Sequence, residues 1–241
     1  MIRTLFIGFW TVIFTGFFAV MVILTSFVST DGQTPHKVAR IWAKCILAAS
    51  NINVTVKGLS NLNRRGSCIY MPNHVSNFDI PVLQAYLPVQ FRWLAKAELF
   101  KIPVFGYAMK RAGYISIDRF DRRSAIQSLN RAAEIIRNGT SVIIFPEGTR
   151  SQNRNIQSFK KGGFVLAVDS GVPIIPVIIH GTWTIMKKTQ ILVKPGHVVL
   201  EIKKPVNTLD YTRKTKGDLM EKVRNIILES YEKSKKNQTL C

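Results

Sequence analysis

Residues 68–81 read CIYMPNHVSNFDIP. Four apolar or β-favouring residues (68–71) are followed by a polar loop between Pro72 and Pro81, and then by the helix-compatible stretch 81–86. Strand, loop and helix within nineteen residues mark one unit of an alternating α/β chain. The loop carries His74 and, five positions on, Asp79. This pair reads in two ways. Either an imidazole base is held by a carboxylate, or a strand-end histidine precedes an aspartate that caps the next helix. The local sequence allows both.

The same alternation continues through the chain. Short β-rich runs occupy residues 54–56, 68–71, 91–94, 114–117, 141–145, 174–179 and 198–202. Helical patterns fall at 81–86, 98–111, 124–137, 159–169 and 215–232, and Asn138-Gly139 supplies a helix stop. The expected fold is a single α/β domain over residues 51–241, with a mostly parallel, partly mixed central sheet flanked by helices. No repeat or low-complexity linker divides it.

Residues 1–50 differ. From 4 to 28 there is no charged residue, and Leu, Ile, Phe, Val and Trp dominate. At 1.5 Å per residue such a helix is about 37 Å long, enough to cross a bilayer or sink deeply into it. It exceeds the apolar core of a signal peptide, and no small-residue cleavage box follows. After a break at Gly32 and Pro35, Val38, Ile41, Trp42, Cys45, Ile46 and Ala49 recur at helical spacing, with Lys37, Arg40 and Lys44 on the other face. That pattern suits a basic amphipathic helix at a membrane interface, or equally a helix packed on the soluble core. Beside segment 4–28, membrane contact is the expectation. Basic residues flank that segment on both sides, so charge bias does not orient it.

The whole chain of 241 residues carries 34 Lys+Arg against 14 Asp+Glu, a formal charge of +20. An anionic partner follows: a phospholipid surface, a phosphorylated small molecule, an acidic protein or nucleic acid. Cys45, Cys68 and Cys241 form neither a disulfide framework nor a zinc motif.

Polar residues collect at strand exits, where sites form in sheets of this class. Beside the HVSNFD loop, Lys96 follows strand 91–94, Asp118 and Arg119 follow strand 114–117, and PEGTRS (146–151) follows strand 141–145. Arg119, Arg150 and Lys96 have the chemistry of a phosphate clamp. Glu147 can accept a hydrogen bond from a substrate hydroxyl, and Gly148 permits close backbone approach. No GxSxG elbow, HExxH or phosphate-loop motif is present, and no cysteine lies in a reactive context. A base without an enzyme nucleophile points to activation of a substrate hydroxyl, which weakens a hydrolase reading but leaves water as the other attacker. The run GVPIIPVII (171–179) has no ionisable group and suits a buried strand or a wall beside an acyl chain.

Together these segments resemble the glycerolipid acyltransferases, especially their 1-acylglycerol-3-phosphate acyltransferase branch. The first block matches as Asn73-His74-Val75-Ser76-Asn77-Phe78-Asp79, the second as GYISIDR (113–119), the third as FPEGTRS (145–151) and the fourth as VPIIPV (172–177), in family order over about residues 67–180. The resemblance implies acyl transfer from a thioester, acyl-CoA or acyl-ACP, to the sn-2 hydroxyl of lysophosphatidic acid, giving phosphatidic acid. It makes His74 the base and Asp79 its orienting partner. Arg119 and Arg150 bind the substrate phosphate with help from Lys96, while Glu147, Gly148 and the adjoining Thr149 belong to the substrate-binding block. Segments 4–28 and 36–50 resemble the family's membrane-embedded helices. A phospholipid membrane is the expected partner, and no cofactor, metal or nucleic acid is called for. The expected location is the inner (cytoplasmic) membrane with the site on its cytoplasmic face. An acyltransferase using another lysophospholipid or a lyso-aminolipid is the alternative, and a non-catalytic module binding nucleic acid or anionic lipid is a third reading.

Overall fold

The computed structural model describes residues 1–29, 32–62, 66–118 and 121–239, the side chains of Arg122 and of residues 236–239 excepted. Its centre is a seven-stranded sheet. In chain order the strands are β1 (Ile52–Lys57), β2 (Ile69–Pro72), β3 (Phe91–Lys96), β4 (Ile115–Ile117), β5 (Ser141–Ile143), β6 (Ile174–His180) and β7 (Gly196–Ile202). Every β-rich run of the sequence forms a strand. Their spatial order is β1-β7-β6-β2-β5-β3-β4. All neighbouring pairs are parallel except β6 and β7. The exits of β2 through β6 therefore lie along one edge, while β1 and β7 run the other way.

Among the described residues, eight helices surround the sheet: α1 (Ile2–Val28), α2 (Gln33–Ala49), α3 (Asp79–Tyr86), α4 (Phe105–Arg111), α5 (Arg122–Arg137), α6 (Gly162–Ser170), the single turn α7 (Thr182–Ile185) and α8 (Lys216–Thr239). On one face Ala43, Ile46 and Leu47 of α2 and Val82 and Leu83 of α3 pack with Tyr70, Ile143, Val177 and Ile179. On the other, Ala132 and Ile136 of α5, Phe164 of α6 and Leu219, Val223 and Ile227 of α8 pack with Ile69, Val142, Ile174 and Ile178. All seven β6 residues are buried, so the run without ionisable groups is the buried strand.

Several boundaries moved for local reasons. The single helix expected at 98–111 is two pieces, a 3-10 turn at Ala97–Lys101 and α4. Pro103 separates them, because the residue before a proline is driven out of the helical region; Ile102 is extended at φ −69°, ψ 123°. Helix α2 starts before Pro35, which is tolerated in a first turn where its missing N–H has no helical partner. Asp121 caps α5, its carboxylate accepting from the backbone N–H groups of Arg123 and Ser124. The cap reading of Asp79 is not what forms. Phe78 is the cap residue of α3, and Asp79 sits in the first turn without a cap bond to its own helix.

Helix α1 is long and apolar enough to cross a membrane. It is tied to α2 at its start and middle and to α4 near its C-terminal end. Arg3 Nη2 donates to Ser50 O at 2.7 Å, Trp42 Nε1 donates to Thr15 Oγ1 at 3.1 Å, and Arg111 Nε donates to Ser26 Oγ at 2.7 Å. Ala19 and Val22 pack against Ala108 and Ala112 of α4. Its opposite side leaves Leu5, Phe9, Val12, Phe17, Leu24 and Phe27 exposed.

Candidate active site

At the exit of β2, Pro72 lacks an N–H, and the side chain of Asn73 continues the ladder in its place. Asn73 Oδ1 accepts from Ile179 N at 2.7 Å and Nδ2 donates to Ile179 O at 3.2 Å. The loop is thereby tied to β6 one residue before His74. The His74 Nδ1 and Asp79 Oδ2 atoms are 2.8 Å apart. The same Oδ2 accepts from the backbone N–H groups of Val75 and Ser76, each at 2.8 Å, and Oδ1 accepts from Thr182 Oγ1 at 2.6 Å. A carboxylate oxygen that already accepts two N–H donors makes Nδ1–H the donor of the third bond, leaving Nε2 as the ring nitrogen with a free lone pair. Asp79 is fully buried, whereas the His74 side chain is 13% exposed. The dyad is closed behind and open in front.

The His74 ring stacks on Phe145, with centroids 3.9 Å apart and planes 16° off parallel, and Phe145 in turn stacks on Trp93. Phe145 begins the turn that leaves β5, where Gly148 adopts φ +74°, a conformation glycine takes without a Cβ clash. Glu147 lies in this turn and is 2% exposed. Its Oε1 accepts from His74 N at 2.7 Å and its Oε2 from Gln157 N at 2.8 Å. Burial pushes its carboxyl up to about 7, against the lowering effect of those two backbone bonds. A further tie joins the two turns, Ser151 N to His74 O at 2.9 Å.

The front of His74 opens on a cavity of about 440 Å³. Its polar lining includes Lys96, Asn77, Gly148, Thr149 and Arg150. Its apolar lining combines Trp93, Leu94, Tyr114, Phe145 and Met109 with Phe18, Ala19 and Val22 of α1 and Trp42 of α2. Lys96 is half exposed and pairs with Glu98 at 2.8 Å. Arg150 is half-buried, and Lys188 Nζ donates to its carbonyl at 2.8 Å.

Of the residues singled out in the sequence, the fold thus brings together His74, Asp79, Lys96, Glu147, Gly148, Thr149 and Arg150. Arg119 lies outside the described residues. Glu147 sits with both oxygens on backbone N–H groups rather than facing the cavity. Thr182, Asn73 and Phe145 were not assigned roles beforehand. Thr182 gave no local signal, since its partner lies 103 residues away. Among the described residues no three His, Cys, Asp or Glu side chains converge as a metal site would require.

A family model described as Acyltransferase matches residues 53–180. The chain is 36% identical over 198 residues to the chloroplastic 1-acyl-sn-glycerol-3-phosphate acyltransferase BAT2 of Brassica napus, covering 81% of this chain and 55% of that protein. It is 31% identical over 219 residues to the 1-acyl-sn-glycerol-3-phosphate acyltransferase of Saccharomyces cerevisiae, covering 89% and 72%. The chain therefore spans about half the length of the Brassica protein and most of the yeast one. The crystal structure of the 1-acyl-sn-glycerophosphate (LPA) acyltransferase PlsC from Thermotoga maritima superposes with a TM-score of 0.83 at 29% identity, covering 97% of this chain and 95% of that one.

Proposed function

The chain belongs to the acyltransferase family, and from that premise we propose that it transfers an acyl group from a thioester to the sn-2 hydroxyl of lysophosphatidic acid, yielding phosphatidic acid. One observation carries the proposal: His74, held by Asp79, lines one cavity together with Lys96, Arg150 and a set of apolar side chains. An acyl donor and a phosphorylated acceptor need those two environments side by side.

The steps follow from the geometry. Asp79, held by four donors, keeps Nδ1 protonated and Nε2 basic. Nε2 takes the proton of the acceptor hydroxyl as its oxygen attacks the thioester carbonyl. The tetrahedral intermediate expels the thiolate, which recovers the proton from the imidazolium. The thioester is already activated, so orientation of two lipids supplies much of the catalysis, up to about 7–11 kcal/mol in favourable cases, and the base adds about 10²–10⁴-fold. Arg150 and Lys96 line the cavity where the acceptor phosphate would sit, and Arg119 is assigned to the same phosphate on its motif alone. Thr149 and Gly148 line the same cavity, and its apolar lining receives the acyl chain. Glu147 is read as a positioning residue that locks the β5 turn to the backbone of His74.

Residues 1–50 are read as the membrane-associated part and residues 51–241 as the catalytic domain. Because α1 is tied to α2 at its start and middle and to α4 of the catalytic domain near its end, it lies along the membrane face, with its exposed apolar side in one leaflet. The site then faces the cytoplasmic leaflet, where thioester donors are found. A donor-by-acceptor activity matrix tests the function, using acyl-CoA and acyl-ACP against lysophosphatidic acid and other lysolipids with mass-spectrometric product readout. Wild-type protein should favour lysophosphatidic acid and His74→Ala should lose at least a hundredfold in turnover. Near wild-type turnover by His74→Ala, or preference for an acceptor without phosphate, would overturn it.

A further inference from the structure

The segment joining α7 to β7 reads MKKTQILVKP (186–195) and connects three places in the molecule. At its start, Met186 O accepts from Ser76 Oγ of the dyad loop at 2.7 Å, and Lys188 Nζ donates to Arg150 O at 2.8 Å. Near its end, Val193 N donates to Thr4 Oγ1 in the first turn of α1 at 3.3 Å, and Lys194 N donates to Ile185 O at 2.9 Å. Between these anchors the chain projects Ile191 at 81% and Leu192 at 43% exposure. Apart from Met1 and α1 itself, Ile191 is the most exposed large apolar side chain among the described residues. Lys187 and Lys194, both exposed, flank the pair.

Two adjacent apolar side chains held in water by a loop anchored at both ends have no purpose in the fold itself. Their setting indicates what covers them. Thr4, which fastens the loop, is followed at once by Leu5 and Phe6, both exposed on the outward apolar side of α1. The tip is thus continuous with the stripe assigned to the bilayer, and its flanking lysines suit anionic headgroups at the depth where such side chains reach the interface. We propose that the 186–195 loop is a second membrane-inserting element, with Ile191 and Leu192 entering the same leaflet as α1. The proposal rests on the reading that α1 lies in the membrane. It adds a consequence for the site: the segment fixed by the bilayer is the one whose backbone and Lys188 hold the Ser76 and Arg150 turns, so docking braces the catalytic edge from outside.

Depth-dependent quenching tests this. With Cys45→Ser and Cys241→Ser as background, single cysteines replace Phe9, Ile191 or Leu209, the last an exposed apolar residue on the turn after β7. Each full-length protein is labelled with an environment-sensitive fluorophore. It is then mixed with equimolar phosphatidylglycerol–phosphatidylcholine vesicles containing doxyl-labelled lipid. Labels at positions 9 and 191 should be quenched and the label at 209 should not. Quenching at 9 with position 191 behaving like 209 overturns the loop proposal and leaves α1 in the membrane. No quenching at 9 overturns the reading of α1, and the loop proposal with it. In unlabelled protein, Ile191→Ser combined with Leu192→Ser should weaken vesicle binding by roughly tenfold or more, since each large apolar side chain moved out of water is worth about that factor. Unchanged binding would count against the loop.

Discussion

Thr182 donates its hydroxyl hydrogen to Asp79 Oδ1 at 2.6 Å, and both residues are fully buried. The bond joins the exit of β6 to the first turn of α3 and leaves the dyad carboxylate no rotational freedom. Hydrogen bonds to charged groups contribute about 1.5–3 kcal/mol, and a buried orphan acceptor costs a similar amount. Thr182→Val should therefore lower kcat by about ten- to a hundredfold with KM for both substrates within about twofold, and Thr182→Ser should restore most of it. Steady-state kinetics of the two variants check this. A fall of the same size in Thr182→Ser would show that shape, not the hydroxyl, matters.

Glu147 offers a second test of how the two turns are held. Each of its oxygens accepts one backbone N–H, from His74 and from Gln157. Glu147→Gln keeps the volume but turns an amide NH₂ toward one of those donors. Losing one such bond should cost about 1–3 kcal/mol of stability, visible as a lower Tm, together with reduced kcat. An unchanged Tm would mean that the turn does not depend on these bonds.

The apolar cavity should set acyl preference by its depth. Ala108 of α4 lines it and packs against α1. Ala108→Leu removes volume from the cavity, at an overpacking cost of about 1–3 kcal/mol. Competing donors of different chain length, read by product mass, should shift toward shorter chains. The same chain-length profile as wild type would place the acyl group elsewhere.

His36 of α2 is buried edge-on to Phe91, and burial together with the charges of Arg40 and Arg92 lowers its imidazole to about 3. The folded state thus refuses a proton that the unfolded chain binds near 6.5, so stability is greatest above pH 6.5 and falls as pH drops toward 3. From pH 7.5 to 5 the loss attributable to His36 is about 2 kcal/mol. Glu147, raised to about 7, works in the opposite direction, its contribution being lost as pH rises from about 4.5 to 7. Comparing wild type with His36→Gln cancels the Glu147 effect. The variant should lose less stability on acidification, by chemical denaturation at the two pH values. Parallel pH dependences would remove His36 as the cause.

Much of this was readable from consecutive residues. The strand runs and the alternation with helices depend on local periodicity that a residue carries wherever it sits, and the same local constraint at Pro103 would have split the helix expected at 98–111. His74 and Asp79 were legible for a related reason, because five residues of chain suffice to bring one side chain back to the other. The cavity cations were legible because residues following successive parallel strands emerge at one edge.

Tertiary structure decided the rest. Whether β7 lies parallel or antiparallel to β6, and that β1 pairs with β7 rather than β2, depends on which faces the helices cover, not on any strand's own composition. Glu147, a candidate substrate contact in the sequence, has both oxygens on backbone N–H groups, since the β5 turn is pulled against the β2 loop. Hydropathy alone made α1 a helix long enough to span; its bonds to Ser50, Trp42 and Arg111 lay it against α2 and α4. Thr182 became the third support of the dyad only because β6 ends beside β2. Local pattern is written in neighbouring residues, whereas a hydrogen bond across 103 residues exists only once strand order and register have placed both ends.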